Sequence, residues 1–359
     1  MNILANNILY IKLLYRKYNW CFVLIALMLT VKILSLFPNF ITVVYSETLY
    51  LKISAFRWRL FGNIPFSVGD MLYFIAGLYI IYTLRKQKSF DAIINHLVKY
   101  TAIFYILFNL LWGFNYYRTP LHQTKQIDYQ YHYEDLLHFT RHTIDKANQI
   151  HSEIVFYEHL KVEYPFEMEE IFQKAEVFEQ PLQVKTSLIS LILSYMGFGG
   201  YINPFTCESQ VNKYLPKYVL PTVTLHEMAH QIGYASESEA NYIAYHKAST
   251  HSDIYFRYAA ELFALKYCLK QIKEINPDDY SKLSDSIYKG IWLSFEESIK
   301  FKEKYHTPID TFFDYLYHYF LKANAQEDGI GEYSKFIGLL INEYKQNYKD
   351  LTPQTSSIK

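Results

Sequence analysis

The chain has 359 residues and equal numbers of basic and acidic side chains, 35 each, so its formal net charge is zero. That balance argues against nucleic acid or another polyanion as a partner. No C-x-x-C pair occurs among its three cysteines, so no cysteine-built zinc site is expected, and the spacing of Cys207 and Cys268 gives no support for a disulfide. The 36 tyrosines accompany much asparagine, lysine and isoleucine and read as compositional bias, not as a binding surface. There is no Gly-rich phosphate loop and no internal repeat.

Apolar residues are concentrated early. Segments 20–37, 67–84 and 97–114 each approach the length that a spanning helix requires. Lys32 interrupts the first near one end, where it can snorkel. That segment is not read as a cleaved signal peptide, because its apolar run is long, starts near residue 20 and lacks a small-residue cleavage site. Lys12, Arg16 and Lys17 precede the first segment, and Arg85, Lys86, Lys88 and Lys99 lie around the start of the third. With these basic residues cytoplasmic, three spans leave everything after about residue 118 outside the cytoplasm. Lys52, Arg57 and Arg59 in the first loop dissent from that orientation. Trp112, Tyr116 and Tyr117 then fall at the outer interface. Residues 1–19 read as an interfacial amphipathic helix or a disordered leader.

The expected architecture is mainly α, with a three-helix transmembrane region (1–117), a mostly helical extracytoplasmic domain with little β (118–350) and a flexible tail (351–359). Helical periodicity runs near 132–151, 167–178, 183–195, 221–233, 237–249, 253–273, 278–303, 308–323 and 331–348. The best strand signal is Gly199 to Thr206, although its glycines fit a plain turn equally well.

The chemistry is concentrated in Thr224-Leu225-His226-Glu227-Met228-Ala229-His230-Gln231-Ile232-Gly233. Two histidines four apart on a helix sit about 40° apart around its axis, so both imidazoles can reach one metal ion. Glu227, beside the first histidine, is a carboxylate suited to take a proton from water. This is the H-E-x-x-H arrangement of zinc hydrolases. Glu227 carries the only charge between 222 and 236, as expected of a buried helix with one functional carboxylate. Pro221 suits the first turn and Gly233 a left-handed stop.

A catalytic zinc takes three protein ligands and keeps one open position. The following helix offers Glu237 and Glu239. Ser236 with Glu239 fits a capping box, which leaves Glu237 as the favoured third ligand and Glu239 as the alternative. Glu237, Ala240, Asn241 and Ala244 share one face, and Asn241 can hydrogen-bond a ligating histidine. His246 and His251 are further candidates, more readily explained as ordinary helix or loop histidines.

The block His226-Glu227 to His230, followed by Glu237-x-x-x-Asn241, resembles the glutamate-zincin metallopeptidases, although Asn241 replaces a frequent aspartate and the link to Glu237 is short. The chain also resembles an uncharacterised bacterial family of membrane proteins, catalogued as a domain of unknown function. That likeness rests on Gly199-Gly200-Tyr201-Ile202-Asn203-Pro204-Phe205, on the His226 to Asn241 block and on Asp328-Gly329. The resemblance implies a membrane-tethered, zincin-like domain and brings no substrate.

The expected function is therefore that of an inner-membrane zinc metallopeptidase acting on a peptide or protein. Zn²⁺ would be held by His226, His230 and Glu237, with Glu227 as general base. Tyr201, Tyr234, His318 and Tyr333 are candidates for an oxyanion partner. The rivals are a catalytically silent metal-binding or receptor protein of the same fold, a zinc hydrolase of a non-peptide amide, and a metal-free structural membrane protein.

Overall fold

The computed structural model describes residues 19–324, 326 and 333–349. Residues 1–18, Asp328-Gly329 and the tail 351–359 lie outside the described residues. The chain divides into two units: Met1–Thr119 with Asn203–Glu208, and Pro120–Ile202 with Ser209–Lys359. The assignment of 203–208 to the N-terminal unit has no counterpart in the sequence reading.

In the N-terminal unit, α1 (Asn19–Leu34) meets α2 (Pro38–Phe61) at a 94° bend. Then follow α3 (Val68–Arg85) and α4 (Phe90–Leu111), both long and apolar enough to cross a membrane. Phe74, Ile75 and Leu78 project outward from α3, as an apolar solvent would favour. Two expectations are corrected. The third apolar segment begins near 90, not 97, because Ser89 caps the helix by accepting the N–H of Ala92. The stretch after residue 37, read as a loop, is helical, with a π-helical run over Ile41–Leu49. Arg57, a dissenting charge in the orientation argument, is buried there. Its guanidinium donates to the carbonyls of Pro204 (2.7 Å) and Leu111 (3.1 Å), so it serves the carbonyl end of α4. The start of α3 is closed by Glu208, whose carboxylate accepts the N–H groups of Val68 (3.2 Å) and Gly69 (2.6 Å).

The C-terminal unit is mainly helical: α5 (Leu121–Lys125), α6 (Tyr133–Ile154), α7 (Met168–Lys174), α8 (Ser190–Tyr195), α9 (Leu220–Gln231), α10 (Glu237–Ser249), α11 (Ile254–Ile275), α12 (Pro277–Ser284), α13 (Lys289–Tyr305), α14 (Pro308–Ala323) and α15 (Tyr333–Lys349). A three-stranded sheet has the order β1 (Val184–Thr186), β3 (Ser209–Val211), β2 (Gly200–Ile202). β1 runs parallel and β2 antiparallel to β3, with Tyr201 opposite Gln210. The strand signal at 199–206 is thus realised as the short edge strand β2, and the helix read over 183–195 is part strand, since Val184–Thr186 find a ladder partner in β3. The helix read over 278–303 breaks at 285–288, where Asn148 accepts the N–H of Tyr288 and donates to the carbonyl of Ser286. Gly290 there leaves no room for a side chain: a Cβ would lie 2.1 Å from the carbonyl oxygen of Leu160.

α9, α10 and α11 pack at the centre of this unit. Ala240, Ala244 and Ala248 of α10 and Ala260 and Ala264 of α11 are fully buried. Small side chains at helical spacing let helix backbones approach closely. Leu225, Met228, Leu262 and Leu265 fill the core around them.

Candidate metal centre

α9 starts with Pro221 in its first turn, as the missing proline N–H permits, and ends at Gly233, whose φ is +91°. The turn folds the chain back so that Tyr234 donates its N–H to Ala229 (3.1 Å). The Tyr234 carbonyl in turn lies 2.6 Å from His230 Nδ1. A carbonyl only accepts, so Nδ1 carries the proton and Nε2 of the neutral ring is left with a lone pair.

Glu237, the first residue of α10, meets both imidazoles. His226 Nε2 is 3.3 Å from Oε2 and His230 Nε2 is 3.5 Å from Oε1. The three ligand atoms lie within 4.8 Å of one another. Donors about 2.1 Å from a tetrahedral centre are about 3.4 Å apart, so this set fits a zinc-sized cation. Without a cation the three form an ion-paired cluster. Burial disfavours the charged ring of His230, but Glu237 outweighs it and holds His230 up to about 9. Burial likewise opposes the Glu237 carboxylate, and the two imidazoles nevertheless hold it well below the usual range.

Glu227 is buried on the same helix. Burial pushes its carboxyl up to about 7, against the pull of His226 and His230. One of its oxygens, Oε2, has no hydrogen-bond partner among the described residues. The side chain rests on β2 at Gly200, where a Cβ would come within 2.8 Å of Glu227 Cγ and Oε1. Glycine is therefore required there for steric reasons. Ser209 of β3 donates to the Glu227 carbonyl (2.8 Å), and Gln231 pairs with the backbone of Gln183 beside β1 (3.1 and 2.9 Å). The sheet thus holds α9 at both ends of the motif.

The family profile described as Protein of unknown function (DUF3810) matches residues 45–341. The chain belongs to this family. No curated protein and no solved structure matches the chain. The DUF3810 match covers both site helices, the sheet and α14.

Glu239, the alternative ligand, is turned away from the histidines, and its Oε1 accepts the N–H of Leu121 (2.5 Å). Ser236 is the N-cap residue of α10, but its hydroxyl makes no capping bond and pairs with that of Ser238, so the expected capping box does not form. Asn241 is buried, yet among the described residues the expected bond to His226 or His230 is absent: His226 Nδ1 has no partner among them, and the orienting role at His230 belongs to the Tyr234 backbone. His246 pairs with Glu343, and His251 bonds the carbonyl of Lys174, so neither joins the cluster. Cys207 and Cys268 are buried and form no disulfide among the described residues. Of the four oxyanion candidates, the Tyr333 side chain lies outside the described residues. Sequence reasoning missed Tyr317, whose hydroxyl donates to Glu237 Oε1 (2.5 Å). Its signal was a polar stripe, Asp310, Asp314 and Tyr317, leading to the buried Leu321 along one face of the aromatic-rich α14.

Proposed function

We propose that this DUF3810 protein is a membrane-anchored zinc metallopeptidase, with three spans and an extracytoplasmic catalytic domain. The observation that carries the reading is the convergence of His226, His230 and Glu237 beside a separate buried carboxylate, Glu227. A bound zinc ion polarises a carbonyl oxygen and brings the pKa of a coordinated water toward neutrality. His226 and His230 would hold the ion through Nε2, and Glu237 would supply the anionic ligand. The Tyr234 carbonyl keeps His230 in the tautomer this needs. Glu227 accepts the proton of the attacking water and returns it to the leaving amine. The edge strand β2, against which Glu227 rests, can align an extended peptide by main-chain hydrogen bonds.

The test uses the full chain purified in detergent, by elemental analysis and by cleavage of a peptide library. About one zinc per chain and a cleaved peptide are expected. Glu227→Gln should keep the zinc and lose the cleavage. A chain that holds no zinc, or a Glu227→Gln variant as active as the wild type, would end this reading.

A further inference from the structure

Large apolar side chains are exposed on one part of the C-terminal unit out of proportion to the rest. Phe312, Tyr315, Leu316 and Tyr319 recur at i, i+3, i+4 and i+7 along α14, so they form one outward stripe. Tyr315 is 60% exposed, Phe312 56% and Tyr319 53%. α8 packs on the other side of α14, where the Phe198 ring, just after α8, meets Tyr317 at 5.1 Å. The opposite face of α14 is accounted for, with Leu321 buried and Tyr317 on Glu237. A contiguous apolar surface of this kind is uncommon on a protein that meets only water.

We infer that the stripe of α14 is a bilayer-binding face that seats the C-terminal unit in the headgroup layer. Three features select lipid as the occupant. Phenyl and phenol rings on one helical face, apolar in body and polar at the tip, suit the boundary between headgroups and acyl chains. Lys322 in the last turn of α14 flanks the stripe with an ammonium group for lipid phosphates. Asp310 does not oppose it, because it is buried and bonded to His306 (2.7 Å) and to the N–H of Thr307 (2.9 Å), and Asp314 lies on the other side of α14, toward Lys302. Finally, α4 is of bilayer-spanning length and ends at Leu111, and the C-terminal unit begins at Pro120. The nine Cα–Cα steps between them reach at most about 30 Å, so the start of this unit stays close to any bilayer that α4 spans. The inference does not depend on the metal site.

The experiment places bimane on single cysteines introduced by Tyr315→Cys and Leu316→Cys, and by Lys282→Cys as an exposed reference, in the full chain. Unlabelled and mock-labelled wild type control for Cys21, Cys207 and Cys268. The protein is reconstituted in nanodiscs of phosphatidylcholine and phosphatidylglycerol. Doxyl-labelled lipid should quench bimane at 315 and 316 several-fold more than at 282, and aqueous iodide should do the reverse. Equal iodide access at 315 and 282 without lipid quenching overturns the inference. Protection from both quenchers with energy transfer between labelled copies also overturns it, and assigns the face to a second copy. The substitutions are at exposed positions, so matched thermal unfolding verifies that the fold is intact.

Discussion

Glu227 and Glu261 are both buried in the C-terminal unit, and each has one carboxylate oxygen without a hydrogen-bond partner among the described residues. Burial pushes both up to about 7. Their surroundings differ. Glu227 lies between two histidines that share a third anionic partner, and its side chain rests on an edge strand. Glu261, on α11, has the Tyr245 hydroxyl at 3.4 Å and the half-exposed Lys146 at 4.0 Å. The comparison teaches that desolvation alone does not mark a site, since it acts equally on a catalytic candidate and on a glutamate enclosed in a helical core. What separates them is whether the neighbours can hold a cation or a reactant.

The sharpest break is at Glu227. Glu227→Gln should lower peptide hydrolysis by about 10²–10⁴-fold while zinc content stays unchanged, and Glu261→Gln should leave turnover at the wild-type level. Kinetics and elemental analysis on the two purified variants give the answer.

The next effect is on stability and belongs to Glu261. Its folded pKa of about 7 lies above the unfolded value of 4.5, so the folded state binds the extra proton. The stability this contributes is complete below about pH 4.5 and is lost as pH rises through about 7. Glu261→Gln should therefore unfold like the wild type in acid and be more stable near pH 8, by up to about 3 kcal/mol. Thermal melts of both proteins across that range would show parallel curves if the idea is wrong.

A third contrast concerns Tyr317. Its hydroxyl orients Glu237, so Tyr317→Phe should weaken zinc binding by about 10–100-fold without unfolding the protein. Competition with a chelator measures this, and an unchanged affinity would reduce Tyr317 to packing. The smallest effect is expected at Glu239, two residues from the proposed ligand Glu237. Glu239→Ala should retain zinc and cost about 1–3 kcal/mol, because the Leu121 N–H loses its acceptor. Loss of the metal in this variant would instead make Glu239 a ligand.

Much of this was legible locally. Two histidines at i and i+4 share a helix face whatever surrounds them, Pro221 and Gly233 mark where that helix can start and stop, and two of the three apolar segments before residue 115, those realised in α3 and α4, announce themselves by length. Each depends on residues within a turn or two of one another, where covalent geometry dictates the outcome. The tertiary structure decided the rest. It chose Glu237 over Glu239 by giving the latter to Leu121, replaced Asn241 with the backbone of Tyr234, and made Arg57 a partner for carbonyls. It also brought Tyr317 to Glu237 across 80 residues of chain. Spacing along the sequence carries no information about such meetings, because they are set by which buried polar groups must find partners once the helices have packed.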